Sequence, residues 1–225
     1  RAIYQTREFE ERFLKVGLGY RVLGGTKFYE RAEVKDAVAY LRIINQKYDD
    51  LALERVIGSP RRGIGESTLN LLHNFGRQNK LCLEDSIKKN LETNSLKPKM
   101  KTSLTQLSKL IDKWRLDSNT NKHYDLLKIV LDESGYSEML KNKKDIENEN
   151  RLENIKELLR AMHDYDNLQS FLEHVALATS IDKEWEGEKI NLMTMHAAKG
   201  LEFDVVFLPG WEEGLFPHQK SLEEK

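Results

Sequence analysis

The sequence predicts a predominantly α-helical insertion domain attached to a partial α/β domain, with a few short parallel strands at the two ends of the chain. Three observations predict it. Apolar runs of β-rich composition, closed by Gly or Pro, sit near the two ends, at 20–25 and 189–210. Between them, apolar residues recur at three- and four-residue steps in one segment after another. The 225 residues include only 4 Pro and are 39% hydrophobic and 32% charged, which suits amphipathic helices around a real core.

The elements follow in order. Residues 7–16 read as a helix with Phe9, Phe13 and Leu14 on one face, ended by Gly17 and Gly19. YRVLGG at 20–25 reads as a strand. Over 33–46, Val34, Ala37, Val38, Leu41 and Ile44 mark a strong helix, and Asp49–Asp50 cap another that runs to about Ile57. SPRRGIGEST at 59–68 is a turn, followed by a helix with Leu69, Leu72 and Phe75 on one face. Helices are expected over 85–90, 101–114, 124–134, 146–165 and 168–178, with polar joints at 116–123 and 141–150. KINLMTMH at 189–196 and DVVFLPG at 204–210 read as buried parallel strands, with a tight turn or short helix between them. Both ends of the helical segment thus return to one sheet.

Composition narrows the function classes. With Cys82 the only cysteine, neither a disulfide framework nor a thiolate-rich metal site is available, and a reducing cytoplasm is expected. No apolar run approaches a membrane span, so no membrane partner is expected. The start, RAIYQTREFEERF, is not a signal peptide, and both ends are expected to continue into a longer protein. The net charge of −1 means that any polyanion must be held by local patches, not a global field.

Four segments carry chemistry. In TMHAAKGLEFDVVFLPG (194–210) a strand delivers Thr194 and His196 to its carboxyl end, where open sheets bind ligands. Lys199 and Gly200 could receive a phosphate and Glu202 a ribose hydroxyl; the same residues also suit a solvated loop. In GGTKFYER (24–31), Lys27 beside Phe28 and Tyr29 offers charge for a phosphate and a ring for a base, although Phe28 equally suits a core. ERVIGSPRRGIGESTLNLL (54–72) has the layout of a helix-hairpin-helix. Gly63 and Gly65 open its turn, Arg61 and Arg62 add charge, and the amides of Gly65, Glu66 and Ser67 suit a phosphate oxygen. The alternative there is a plain turn capped by Ser67. The fourth segment is the N-terminal RAIYQTREFEERF.

These segments together resemble UvrD/PcrA/Rep-like superfamily 1 DNA helicases. MTMHAAKGLEF…VVFLPG…EEGLFPH is similar to their motif V. GGTKFYERAEVKD is similar to the segment joining the second motor domain to its insertion. RGIG is similar to the insertion's duplex-gripping hairpin, and RLENIKEL (151–158) also matches. In RAIYQTR, Arg1, Gln5 and Arg7 match positions of the family's Y-R-x-N-A-Q-S-R, but Ile3 and Tyr4 replace its Asn and Ala. The resemblance implies a partial RecA-like (P-loop NTPase-type) second motor domain (2A) at 1–24 and 186–225, and a helical insertion (2B) at 25–185.

What the resemblance implies is an internal fragment of a bacterial, cytoplasmic, ATP-dependent 3′-to-5′ helicase of DNA repair or replication. Lys199, Gly200 and Glu202 would contact ATP. Lys27, Thr194, His196 and His218 would contact single-stranded DNA, with Arg1, Gln5 and Arg7 as further candidates, while Arg61, Arg62, Gly63 and Gly65 would hold fork or duplex DNA. Repair proteins are candidate partners through the insertion. ATP and Mg²⁺ would serve the full-length protein. This chain contains no P-loop, no acidic magnesium-binding segment and no Q-N-Y-R-S, and the V-A-x-T-R-A segment would follow Lys225. It is therefore expected to be inactive alone, with no complete catalytic site and no metal site. Two other readings stay open: a standalone DNA-binding or regulatory module, and a piece of an AddA/RecB-type helicase-nuclease.

Overall fold

A computed structural model describes residues 6–93, 96–142, 146–180 and 187–210. Ten helices and two strands follow in order among them: α1 (Thr6–Val16), β1 (Tyr20–Leu23), α2 (Ala32–Asn45), α3 (Asp50–Gly58), α4 (Glu66–Asn79), α5 (Leu83–Glu92), α6 (Pro98–Asp117), α7 (His123–Glu133), α8 (Tyr136–Lys141), α9 (Ile146–Met162), α10 (Leu168–Ser180) and β2 (Ile190–Met193). A single 3₁₀ turn, Phe28–Glu30, leads from the β1 loop into α2.

Helix α2 is the axis of the helical body. It is apolar on more than one side, with Val34, Ala37, Val38, Leu41, Ile43 and Ile44 all buried, the pattern of a helix enclosed by others. Helices α3, α6, α7, α9 and α10 pack around it. Tyr40 meets Trp114 of α6 edge-to-face at 5.8 Å and Tyr136 of α8 at 6.2 Å. All three rings are almost fully buried. Each contributes the roughly 1.5–3 kcal/mol of a large buried side chain, plus the favoured T-shaped geometry. Asp49 caps α3 as expected: its carboxylate accepts from the Ala52 amide at 3.1 Å.

The six-residue helix α8 lies outside the periodic runs that the sequence marks as helices. Only Tyr136 and Leu140 of it are buried, too few for a periodic signal, so tertiary packing decides it. Helix α9 begins at Ile146, the start that the sequence predicts for it.

Helix α1 also departs from expectation. Its buried residues are Arg7, Glu10 and Glu11, whereas Phe9 is exposed and Phe13 and Leu14 are half-buried. The helix docks through paired charges, not an apolar stripe. Arg7 Nε donates to Glu157 Oε2 of α9 at 3.3 Å. Glu10 accepts from the Phe28 amide at 3.0 Å and lies 3.7 Å from Arg31. Glu11 accepts from the Tyr29 hydroxyl at 2.6 Å, and His174 Nε2 of α10 lies 2.9 Å from its other oxygen. Burial alone pushes the Glu11 carboxyl up, but the His174 and Tyr29 hydrogen bonds and the His174 and Arg7 charges outweigh it and hold it below its usual range.

The two strands pair in parallel, Tyr20 opposite Ile190 and Leu23 opposite Met193, so both ends of the helical segment do return to one sheet. The expectation of buried strands is corrected: Ile190 is exposed and the rest of β2 half-buried. Residues 204–210 form no strand. Val205, Val206 and Phe207 are exposed, Phe207 at 87%. A third strand needs a ladder partner, and β1 and β2 are the only strands among the described residues. No helix there is long and apolar enough to cross a membrane.

Candidate nucleic-acid interface

Parallel pairing puts the carboxyl ends of β1 and β2 at one edge, the edge where ligands bind in open α/β sheets. Strand β1 runs into Gly24, Gly25, Thr26 and Lys27, and β2 runs into the loop from Thr194 to Gly200. The two loops touch. A Cβ on Gly24 would lie 3.3 Å from the Ala197 Cβ, and Gly24 has φ +77°. Any side chain there would be strained and would press the loops apart.

Thr194 shapes the second loop. Its Oγ1 accepts from the Ala197 amide at 3.2 Å and its carbonyl from the Ala198 amide at 3.1 Å. The His196 carbonyl accepts from the Lys199 amide at 3.3 Å and the Ala198 carbonyl from the Leu201 amide at 3.0 Å. This tight turn leaves His196, Lys199, Gly200 and Glu202 exposed together. Lys27 is half-buried, its ammonium 3.9 Å over the Tyr20 ring. Two of the segments singled out in the sequence therefore meet at one edge. The aromatic pair does not join them: Phe28 is 0% and Tyr29 6% exposed. Their rings belong to the core and cannot stack on a base.

The hairpin lies between α3 and α4. Gly63 has φ +73°, a left-handed conformation that the turn requires and that favours glycine. Gly65, not Ser67, is the N-cap of α4, and no side chain caps that end. Gly65, Glu66 and Ser67 are exposed, as is Arg61. Arg62 is differently employed. Its guanidinium donates to the carbonyl of Val56, to that of Pro60 at 2.9 Å, to the Tyr40 hydroxyl at 2.9 Å and to the Ser134 carbonyl at 3.4 Å. Asp36 of α2 secures the same turn, accepting from Arg55 at 2.6 Å, Ser59 at 3.0 Å and Tyr136 at 2.8 Å.

Sequence reasoning missed Asp36 and Tyr40 as supports of the hairpin, because both sit inside an unbroken helical pattern. It also missed Asn154 of α9, whose side chain accepts from Arg31 at 2.6 Å and donates to Glu33. Arg7, matched to a DNA-facing position, is buried against Glu157. Arg1, Gln5 and His218 lie outside the described residues.

Comparisons with known proteins identify the family. The family described as UvrD-like helicase C-terminal domain matches residues 1–225. DNA helicase II of Rickettsia typhi is 44% identical over the whole of this chain, covering 34% of that protein. ATP-dependent DNA helicase PcrA of Bacillus subtilis is 39% identical over 98% of this chain and 32% of its own length. DNA helicase II of Haemophilus influenzae is 38% identical, with the same coverage. The chain thus spans about a third of the length of these relatives. With a family match along its full length, this chain belongs to the UvrD-like helicase C-terminal domain family.

Proposed function

We propose that the chain is the C-terminal motor portion of an ATP-dependent 3′-to-5′ DNA helicase. On this reading 1–24 and 186–225 belong to a RecA-like second motor domain and 25–185 to its helical insertion. The observation that carries it is the convergence of Gly24–Lys27 and Thr194–Glu202 at the carboxyl edge of one parallel strand pair. Lys199 and Gly200 would face the nucleotide's phosphates and Glu202 its ribose. Thr194, His196, Lys27 and His218 would follow the single strand, with Arg1 and Gln5 flanking it. Arg7 is better suited to orienting α1 through Glu157 than to touching DNA.

The exposed lysine and glycine fit one wall of an ATP site. The sequence carries no P-loop and no acidic magnesium-binding segment, so on this reading the magnesium ligands come from other parts of the full-length protein. Bound ATP would supply the free energy for movement; the work of these residues is to hold its phosphates and to connect them, through the Thr194 turn, to the DNA-facing side. The exposed apolar run Val205–Phe207 supports a motor fragment over a standalone binding module, because it suits a strand inside a larger sheet. The duplex would meet the hairpin through Arg61 and the open end of α4, with Arg62 and Asp36 holding that turn in shape.

The test is anisotropy binding of the chain to a single strand across a salt series. Lys27→Ala is expected to reduce the log–log salt slope by about 0.7, one phosphate's worth on a single strand. An unchanged slope removes Lys27 from the proposed strand path. The chain alone is expected neither to hydrolyse ATP nor to unwind DNA; turnover abolished by Lys199→Ala would overturn that expectation.

A further inference from the structure

The loop that carries Lys27 is fastened to a residue outside the segments singled out above. Tyr20 opens β1 and is buried, with 4% of its surface exposed. The Lys27 ammonium lies 3.9 Å over the centre of its ring, close enough to be attracted by the negative face of the aromatic. The ring is itself fixed. Its hydroxyl donates to Glu10 Oε2 of α1 at 3.2 Å, and the Phe13 ring stands 5.8 Å from it, tilted by 44°. The same Glu10 oxygen accepts from the backbone amide of Phe28, the residue after Lys27, at 3.0 Å. One buried carboxylate oxygen therefore ties the ring to the segment that carries the lysine.

Burial of the ring does not require a cation above it. The cation has a use of its own. A lysine stem is flexible, and a lysine that meets a phosphate from free rotation loses that freedom on binding. One already held over a ring has lost it before the ligand arrives, so less ordering is left for the binding step. Lys27 is half-buried and keeps part of its surface in solvent, where a phosphate can approach it.

We propose that Tyr20 is a positioning residue for single-strand binding: its ring, set by Glu10, holds the Lys27 ammonium in place for a backbone phosphate. This rests on the reading of Lys27 as a single-strand contact and adds the group that aims it. Tyr20 itself, buried under the lysine, acts only through Lys27.

The experiment is anisotropy binding of the chain to an oligothymidylate strand across a salt series. Five proteins are compared: wild type, Tyr20→Phe, the chain with pentafluorophenylalanine at position 20, Lys27→Ala, and the fluorinated chain that also carries Lys27→Ala. Fluorination nearly keeps the shape of the ring but removes its negative face. Far-ultraviolet circular dichroism melts verify that all five fold. Tyr20→Phe keeps the ring and is expected to bind within about twofold of wild type. The fluorinated ring is expected to weaken binding by about 2- to 5-fold, with the salt slope unchanged because the lysine's charge is still there. In the Lys27→Ala background it should have no further effect, the mark of a residue that acts through Lys27. Equal weakening with and without Lys27 overturns the proposal, since Tyr20 then supports the fold alone. Unchanged or tighter binding in the fluorinated chain, beside a slope lowered by Lys27→Ala, overturns the proposal and leaves the Lys27 reading standing. A Lys27→Ala protein with the affinity and slope of wild type, or a wild-type chain that binds no single strand, removes that reading and this proposal together.

Discussion

Two adjacent arginines, indistinguishable in sequence, are expected to behave oppositely when removed. Arg62 has four acceptors for its guanidinium: the carbonyls of Val56, Pro60 and Ser134, and the Tyr40 hydroxyl. Arg61 is exposed and has no such set. Arg62→Ala leaves three carbonyls and a hydroxyl without their donor. At about 1 kcal/mol of net stability per hydrogen bond the ceiling is about 4 kcal/mol. Water can reach the half-buried turn and replace part of it, so a loss of about 2–3 kcal/mol is expected. For a domain of this size that lowers the melting temperature by about 4–12 °C. Arg62→Lys should recover little, because a single ammonium cannot span a fork of acceptors. Arg61→Ala should stay within about 0.5 kcal/mol of wild type while weakening duplex binding. The assay is calorimetric or circular dichroism melting of the three variants at fixed pH and salt. An Arg62→Ala protein that melts within about 1 °C of wild type would refute the reasoning, because it would mean that this network contributes nothing to the hairpin.

Two further outcomes follow from the core and its charges. Trp114→Ala removes a fully buried ring and the indole N–H that donates to the Glu133 carboxylate at 2.9 Å; a loss of about 3–5 kcal/mol is expected in urea unfolding, and a loss below about 1 kcal/mol would show that the α2–α6 contact is dispensable. Acid should unfold the helical body through Glu84: burial pushes its carboxyl up, but the hydrogen bond and charge of Arg115, with oxygens at 2.8 and 2.7 Å, and those of Lys88 hold it below its ordinary 4.5. A carboxyl depressed in the folded state contributes stability that is present above the unfolded value and lost as pH falls through the folded one. Stability should therefore decline below about pH 4.5, and Glu84→Gln should flatten that decline; an unchanged profile in Glu84→Gln would assign the acid sensitivity elsewhere.

The mainly helical character and the order of most elements were legible because they rest on local periodicity. The stripe Val34, Ala37, Val38, Leu41 and Ile44 marks α2, the Asp49 cap marks α3, and the glycines mark the turns, each a property of a few neighbouring residues. The chemical segments were legible for the same reason, since each is a short contiguous run.

What contiguity cannot encode is which residues meet across the fold, and there only the tertiary structure decided. Helix α1 reads as apolar on the Phe9, Phe13, Leu14 side, yet buries Arg7, Glu10 and Glu11, because their partners Glu157, Arg31 and His174 arrive from distant segments. Phe28 and Tyr29 could have faced a base or a core; contacts with Glu10, Glu11 and the helical body placed them in the core. The run 204–210 has every local mark of a strand, but a strand exists only with a hydrogen-bonding neighbour, and β1 and β2 pair with each other. Arg61 and Arg62 differ in nothing local. The approach of Tyr40 and Ser134, from two other helical segments, turned one of them inward and left the other exposed.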